Sequence, residues 1–400
     1  MFYRTLILFL PITLFSSCVE EYKIPYNETN AFKSELVVEG RILVGEKSNF
    51  YLSRTVPFEE GEVNPDSTSI SEALVTIIGK NSYESTPAIF EPEYNHYTID
   101  TNELQNNTEY AVKVVYDGEV YQSDFQTVLD SPEIEAVTYR EREDGISIHV
   151  STHGDMNHSR YYMWSCEEDW EFHSDFNFVN ISQGICLYNK DKYVLKNSYE
   201  NPYYYCWGHN NSNGIHIYNA ESLNENSLKE VELYRIPISD IRISYIYSVL
   251  VKQWSLDKNA YIYFETMEKQ TEENDGLFAP MPADIRGNVK CISNPEIQVR
   301  GYVLASNVKT RRIFVYASDF QTIVPEYSNC SFRHGFDDAK ANYLWTLAWR
   351  SEISKAGAVV YTERGEIELD SKKYTKECVD CRETKGATKK RPDFWPNDHE

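Results

Sequence analysis

The stretch Leu104–Tyr121, LQNNTEYAVKVVYDGEVY, decides the fold class of this 400-residue chain. From Tyr110 onward, side chains two residues apart are apolar, and such side chains share one face of a β-strand. Asp117-Gly118 then supplies the two-residue turn typical of a hairpin, and a second β-rich run extends from Glu119 to Phe125. The stretch therefore predicts a β-hairpin.

The residues that open this hairpin are typical of an immunoglobulin-like sandwich. Leu104, a short polar turn and then Thr108-Glu109-Tyr110 resemble the tyrosine corner of that fold, in which the phenol bonds to upstream backbone. Three earlier runs rich in β-branched residues are expected to be strands: Leu36–Val44, Phe50–Thr55 and Ala73–Ile78. We therefore expect residues 33–128 to form one immunoglobulin-like β-sandwich.

A larger β-rich domain, either a sandwich or a barrel, is expected over residues 133–371, after the break at Asp130-Ser131-Pro132. Its expected strands are Ile134–Tyr139, Gly145–Ser151, Lys229–Ile236, Ile241–Gln253, Gln298–Ala305 and Arg311–Ala317. One helix, with Ser255 as its N-cap and an end near Thr271, is expected to cover the core. The predicted fold class is all-β, with this single covering helix.

Residues 1–17 are typical of a lipoprotein signal peptide. The apolar run from Leu6 to Phe15 is about half as long as a membrane-spanning helix. It ends in Ser16-Ser17-Cys18, which resembles the lipobox of bacterial lipoproteins, so Cys18 is the predicted lipid attachment site. A plain secretory signal with a chance cysteine is the alternative.

Residues 18–32 are expected to form a polar tether. Glu20 and Glu21 resemble the surface-export signal of Bacteroidota lipoproteins, although they also fit an ordinary solvated tether. We expect a firm lipid anchor, because several acyl chains hold a protein stably at a membrane. With the resemblance to the surface-export signal, this predicts a protein on the outer membrane that faces the cell exterior.

The balance of charges excludes one class of partner. Lys and Arg total 39 against 62 Asp and Glu, a net charge of −23, so we expect no nucleic acid partner. The end of the chain differs, because Lys372–Arg391 contains eight basic and three acidic residues. Residues 372–400 are expected to form a basic tail that contains cysteines.

Cysteine spacing leaves several alternatives open. Cys378 and Cys381 form a C-x-x-C pair, which also occurs in zinc sites and redox proteins, but no second spaced pair accompanies it. Outside the cytoplasm a disulfide is favoured, either within this pair or to Cys206 and Cys330. We predict no metal site and no cofactor.

The aromatic residues between 161 and 218 suggest a binding surface for a small polar or sugar ligand, because sugar faces stack on aromatic rings. Ordinary core packing of strand residues is the simpler interpretation. The candidate ligand-binding aromatics are Trp164, Trp170, Tyr203, Tyr204, Tyr205 and Trp207.

Sequence motifs of hydrolases are absent, and no catalytic residue is assigned. Glycosidases use two carboxylates that can lie far apart in sequence. The acidic residues nearest to tryptophan are Glu167, Glu168, Asp169 and Glu171. A solvated acidic loop is the simpler interpretation of this group.

Several segments, taken in order, resemble a family of uncharacterised Bacteroidota lipoproteins, domain of unknown function 4249. They are Cys18, Leu36–Gly40, Leu52–Thr55, Tyr110 with the hairpin to Ser123, Pro282–Asn288 and Cys378–Trp395. The family has no established activity, and its members look like accessory lipoproteins encoded beside TonB-dependent transporters.

The resemblance implies a non-enzymatic accessory protein that captures a nutrient or caps a transporter, with a TonB-dependent transporter as its partner. This implication rests on association, because a fold does not define a function. A surface glycan hydrolase and a structural or adhesion lipoprotein are the alternatives.

Overall fold

A computed structural model gives the structure of the chain. The signal peptide, Cys18 and the tether lie outside the described residues. The residues that the structure describes are 34–56, 68–80, 82–106, 108–174, 204–211, 214, 216–273, 285, 287–327, 361–362, 365–366 and 381–396.

Strands dominate the described part of the chain, which contains a single α-helix, α1 (Lys258–Glu273). The strands are β1 (Leu36–Leu43), β2 (Lys47–Arg54), β3 (Leu74–Gly79), β4 (Ile89–Glu91), β5 (His96–Asp100), β6 (Glu109–Tyr116), β7 (Glu119–Ser123), β8 (Gln126–Thr127), β9 (Ile134–Arg142), β10 (Gly145–His153), β11 (Tyr161–His173), β12 (Tyr205–Asn211), β13 (His216–Asn219), β14 (Ser227–Pro237), β15 (Ile246–Leu256), β16 (Val289–Cys291), β17 (Val299–Arg300), β18 (Val303–Ser306), β19 (Lys309–Tyr316), β20 (Tyr361–Thr362) and β21 (Gly365–Glu366).

Two sheets form the first module, which we define as β1–β8 with β16–β18. One sheet has the order β17-β1-β2-β5-β4, with β18 also paired to β1, and the other has the order β16-β7-β6-β3, with β8 also paired to β6. Buried side chains of both sheets, such as Val38 and Phe50 of one and Val112 and Val114 of the other, belong to a common hydrophobic core. Alternation along each strand places these side chains on the inner faces.

The predicted hairpin is present. β6 and β7 pair antiparallel around Asp117 and Gly118, which have φ angles of 52° and 79°. Both turn residues thus have the positive φ that a two-residue turn of type I′ requires. The Tyr110 phenol also bonds to upstream backbone, because its oxygen accepts a hydrogen bond of 2.9 Å from the Gln105 N–H.

Strands from much later in the sequence complete the first module. β16 pairs antiparallel with β7, and β17 and β18 pair in parallel with β1. The buried Asn288 side chain fixes this return, since its Nδ2 donates to the Val303 carbonyl at 2.8 Å and its Oδ1 accepts from the Val303 N–H at 2.9 Å. These returning strands lie within residues 133–371, the range expected for the second domain, although they pair with β7 and β1 of the first module.

A glycine makes the return sterically feasible. Gly301 has a φ of +97°, and a Cβ atom there would lie 2.1 Å from the carbonyl oxygen of Val38 on β1. A side chain is therefore excluded both by the backbone conformation and by the close approach to β1.

The second module comprises β9–β15, β19 and α1. Its sheets are a three-stranded sheet, β14-β10-β9, and a five-stranded sheet, β12-β11-β15-β19, with β13 also paired to β11. Ile146 and Ile148 of the smaller sheet share a hydrophobic core with Trp164, Val249 and Val251 of the larger one. Each sheet in the described part of the chain is open, so of the two expected forms, sandwich or barrel, a closed barrel is not observed there.

The predicted covering helix is present, but its expected N-cap is wrong. Ser255 belongs to β15, where its hydroxyl donates to the Asp130 carbonyl at 3.1 Å. Asp257 caps α1 instead, since its carboxylate accepts a hydrogen bond of 2.7 Å from the Ala260 N–H. In the described residues, α1 is not long and apolar enough to cross a membrane.

Candidate functional site

The acidic residues next to Trp170 lie in a strand, and their interpretation as a solvated loop is wrong. All four belong to β11, which has hydrogen-bonded neighbours on both sides. Glu168, Asp169 and Glu171 are buried, with 2%, 6% and 0% of their surfaces exposed. Because side chains alternate along a strand, Glu168 lies on one face of the sheet and the other two on the opposite face.

Glu168 has both carboxylate oxygens occupied. Arg242 Nη1 lies 2.8 Å from Oε1 and 3.0 Å from Oε2, and the Tyr247 hydroxyl donates to Oε1 at 2.6 Å. Asn210 Nδ2 donates to Oε2 at 3.2 Å. Asp240 in turn accepts from Arg242 Nη2 at 2.8 Å. A buried carboxylate is tolerated in a core only with such partners.

Burial and neighbouring charges change several pKa values around Glu168. Burial, reinforced by neighbouring Tyr234 and Glu168, raises the pKa of Tyr247 well above its usual range. Burial by itself would lower the pKa of Arg242, but hydrogen bonding to Asp240 and the Glu168 charge raise it overall. Glu168, Arg242 and Asp240 therefore form an ion-pair network that also includes the Tyr247 hydroxyl.

The opposite face of β11 carries a second set of ion pairs. Asp169 accepts from Arg312 Nη1 at 3.0 Å and lies 2.8 Å from His209 Nδ1. Glu167, on the same face, is paired with Lys252. His209 is the most exposed member, with 53% of its side chain accessible, whereas the Asp169 side chain is 8% accessible. On this face, Glu167 and Asp169 are each paired with a basic side chain.

The C-terminal residues 381–396, here called the C-terminal segment, pack against β12, an edge strand of this sheet, and reach the face that carries Glu171. A disulfide joins Cys381 to Cys206 on β12, with 5.7 Å between their Cα atoms. Trp207 and Thr388 form a backbone bridge through hydrogen bonds of 2.9 and 2.8 Å. The Trp395 indole donates to Glu171 Oε2 at 2.7 Å, which supplies a partner to a fully buried carboxylate. The C-terminal segment therefore packs as part of the second module.

Burial of the candidate aromatic residues favours a packing role. Trp164 is 1% exposed and donates its indole N–H to Gln253 Oε1 at 2.9 Å. Trp207 is 9% exposed, and Lys389 of the C-terminal segment lies over its ring. Trp164 therefore has no surface with which to contact a ligand.

The remaining aromatics of this group are half-buried where they are described. Trp170 lies against Gly208 of β12, where a Cβ atom would come within 2.2 Å of the indole. Tyr204 and Tyr205 are half-buried, and their rings meet at 4.6 Å. Tyr203 lies outside the described residues.

A family comparison supplements this geometry. The model of the family described as "Domain of unknown function (DUF4249)" matches residues 19–312. The chain belongs to the DUF4249 family. The sequence resemblance is thereby confirmed over that span, and the C-terminal segment lies beyond it. A search of curated proteins finds no match to the chain.

The described cysteines of the DUF4249 protein include two buried free thiols, Cys166 and Cys291. Burial and the nearby Glu168 charge raise the pKa of Cys166 to about 12, so this thiol is a poor nucleophile at neutral pH. Cys330 and Cys378 lie outside the described residues, as does Cys18. Where the structure is described, no group of three His, Cys, Asp or Glu side chains could hold a metal ion.

Three side chains that complete these networks were not anticipated from sequence. Arg242, Arg312 and Trp395 lie 74, 143 and 224 residues from their partners on β11. No local pattern links a cation or an indole to a carboxylate over such separations. The only local indication was that the consecutive acids Glu167–Asp169 lie between Trp164 and Trp170, two large residues that are typical of a buried strand.

The DUF4249 protein also has a cavity of about 370 Å³ in its first module, which sequence analysis did not identify. Arg54, at the end of β2, lines this cavity together with Glu72 and several residues that carry hydroxyl groups. Arg54 and Thr55 belong to the Leu52–Thr55 segment that carries part of the family resemblance, but that resemblance assigned them no role.

Proposed function

We propose that this DUF4249 protein is a lipid-anchored lipoprotein of the outer membrane that faces the cell exterior. The observation that carries the proposal is the run of apolar residues ending in Ser16-Ser17-Cys18. The acidic residues Glu20 and Glu21, two and three positions after the cysteine, support export to the surface. Acyl chains on Cys18 would hold the body at the membrane through the tether of residues 18–32.

Its role in this location is that of a non-enzymatic accessory to a TonB-dependent import system, either in nutrient capture or in capping a transporter. The state of the β11 carboxylates supports a role without catalysis. Glu168 and Glu171 are buried, and Glu168, Asp169 and Glu171 all have hydrogen-bonding partners. Glycosidic cleavage needs two carboxyl groups that reach the substrate, which buried and occupied groups do not offer.

We also infer that the first module is an immunoglobulin-like sandwich. Two open sheets around one core support this assignment. The hydrogen bond between Tyr110 and the Gln105 backbone adds support, because a tyrosine that ties a strand to upstream backbone is a hallmark of that fold.

Anchoring is tested by comparing the native chain with Cys18→Ala in a bacterium that processes lipoproteins. We expect the native chain in the outer-membrane fraction, with a mass increase from acylation and sensitivity to protease added to whole cells. Cys18→Ala should lose the added mass and the membrane association. Cys291→Ala, which removes a buried thiol of the first module, is the matched control and should remain anchored.

The accessory role is tested by purification of the tagged, anchored protein from its native membranes. We expect a TonB-dependent transporter to co-purify with the native chain. Recovery of the native protein alone, from membranes in which the transporter is abundant, would contradict the accessory role. Hydrolysis of surface glycans by the purified chain would favour the alternative of a hydrolase.

A further inference from the structure

We propose that the cavity beside Arg54 binds a small sugar that carries a carboxylate, a hexuronate in chemical class. The cavity, of about 370 Å³, lies near the lower end of the volumes of ligand pockets in proteins, which suits a single sugar unit. Two features of its lining define the ligand class: an arginine with unused donors and an unusual number of hydroxyl groups.

Arg54 provides the positive charge. Its Nη2 donates one hydrogen bond, of 3.3 Å, to the Tyr116 hydroxyl, and the guanidinium lies 5.2 Å from the centroid of that ring. Arg54 also forms an ion pair of 3.8 Å with Asp117, and an exposed pair of this kind is weak, because 77% of the Asp117 side chain is accessible. A guanidinium has five N–H donors in a planar fork. Within the described structure, Arg54 therefore keeps donors that can bind a carboxylate with two parallel hydrogen bonds.

Hydroxyl groups account for six of the ten side chains that line the cavity. They belong to Ser34, Thr55, Thr68, Ser69, Ser71 and Tyr116. Ser34 donates to the Thr55 carbonyl at 2.8 Å and keeps its lone pairs, whereas Thr55 accepts from the Glu35 N–H at 2.8 Å and keeps its O–H. Because a hydroxyl both donates and accepts, such a lining matches the hydroxyls of a sugar.

Glu72 completes the polar lining and accepts hydrogen bonds from sugar hydroxyls at the open side of the cavity, where its residue is exposed. Among the described residues, Glu72 makes no ion pair with Arg54, whose ion-pair partner, the exposed Asp117, is not among the residues that line the cavity. An amino acid zwitterion would pair with the charges of Arg54 and Glu72 but would leave most of the lining hydroxyl groups without a partner. An acidic sugar matches both the arginine and the hydroxyl groups.

The site is tested by titrating the purified full chain with sodium glucuronate, and with neutral methyl glucoside as the comparison, at low salt. We expect saturable binding of glucuronate that is at least about tenfold tighter than that of the glucoside, because charge-assisted hydrogen bonds are the stronger ones. Arg54→Gln should weaken glucuronate binding by about tenfold or more.

Arg140→Gln is the matched control. Arg140 is 53% exposed in its side chain and pairs with Glu230 on the second module, far along the chain from the cavity. Ser71→Ala removes an exposed lining hydroxyl and should weaken binding severalfold even if Arg54→Gln does not fold. Arg140→Gln should bind glucuronate as the native chain does.

Three outcomes would overturn the inference. These are no saturable binding of glucuronate at concentrations on the order of 10 mM, equal affinity for the neutral glucoside, and tighter binding of free alanine than of glucuronate. The inference gives nutrient capture a site and so rests on that part of the proposed function. Anchoring through Cys18 and co-purification of a transporter do not involve Arg54. A failure of glucuronate binding can therefore be distinguished from a failure of the proposed function.

Discussion

Trp395 donates its indole N–H to Glu171 at a distance of 2.7 Å, across 224 residues of sequence. Both side chains are buried, with Trp395 5% exposed and Glu171 fully enclosed. The C-terminal segment thus reaches a carboxylate in the middle of the five-stranded sheet, although it lies beyond the residues that the family model matches. The stability of the second module should therefore depend on the C-terminal segment.

Replacement of the indole tests this dependence. Trp395→Phe keeps an aromatic ring but removes a hydrogen bond to a buried carboxylate, so we expect the free energy of unfolding to fall by about 1.5–3 kcal/mol beyond the loss from packing. Urea denaturation of the native chain and the variant measures this difference.

Trp254→Phe provides a closely matched control. Trp254 is 3% exposed, and its buried indole nitrogen has no hydrogen-bond partner among the residues that the structure describes. The same substitution there loses similar packing but no hydrogen bond. Equal losses for Trp395→Phe and Trp254→Phe would show that the bond to Glu171 contributes nothing.

The disulfide between Cys206 and Cys381 makes a second prediction. It closes a sequence separation of 175 residues, and a native disulfide of this kind stabilises a protein by about 2–5 kcal/mol. We expect Cys206→Ala with Cys381→Ala to lower the free energy of unfolding by that amount and to make the C-terminal segment sensitive to protease.

The two buried thiols serve as an internal control for this variant. Cys166 and Cys291 should resist alkylation in the folded native chain and react after unfolding. Recovery of alkylated Cys206 or Cys381 from the native, unreduced protein would contradict the disulfide.

The ion pair between Glu168 and Arg242 makes a third prediction. Glu168→Gln removes the buried partner of Arg242, which keeps its ion pair with Asp240, so we expect a cost of about 3 kcal/mol, the lower end of the range for breaking a buried pair. Glu230→Gln breaks the exposed pair with Arg140 and should cost less than about 1 kcal/mol. Similar losses in both variants, measured by denaturation, would argue against a special role for Glu168.

Local sequence signals predicted several strands of the first module, among them the hairpin strands β6 and β7. Asp117-Gly118 predicted the hairpin because only a few residue types adopt positive φ at both turn positions, and the structure has that turn. The strand Leu36–Val44 was likewise predicted from its β-branched residues and is observed as β1, Leu36–Leu43. Such signals depend on neighbours in sequence.

Long-range relationships were not predictable in the same way. The parallel pairing of β18 with β1 joins Val303 to Gly40, and nothing near either residue specifies the partner. The acidic run in β11 indicates a solvated loop when only its neighbours in sequence are considered, because its counter-ions, Arg242 and Arg312, are distant in sequence. Burial of charge depends on partners that only the folded chain brings together.

The fourth prediction concerns His216, whose protonation should make the stability of the second module depend on pH. Burial lowers the pKa of His216, partly opposed by the negative charge of Glu168, and its ring stacks on Tyr234 at 6.1 Å. In the unfolded chain a histidine titrates near 6.5. The unfolded state therefore binds the proton first as the pH falls.

The sign of the effect follows from this order of protonation. The stabilising contribution of neutral His216 is fully present above a pH of about 6.5 and is lost as the pH falls from there toward the lowered pKa of the folded state. One proton limits the slope to about 1.4 kcal/mol per pH unit. We expect His216→Gln to lose less stability than the native chain between pH 7.5 and pH 5.5. Urea denaturation at several pH values measures both profiles, and parallel profiles would exclude His216 as a source of the acid sensitivity.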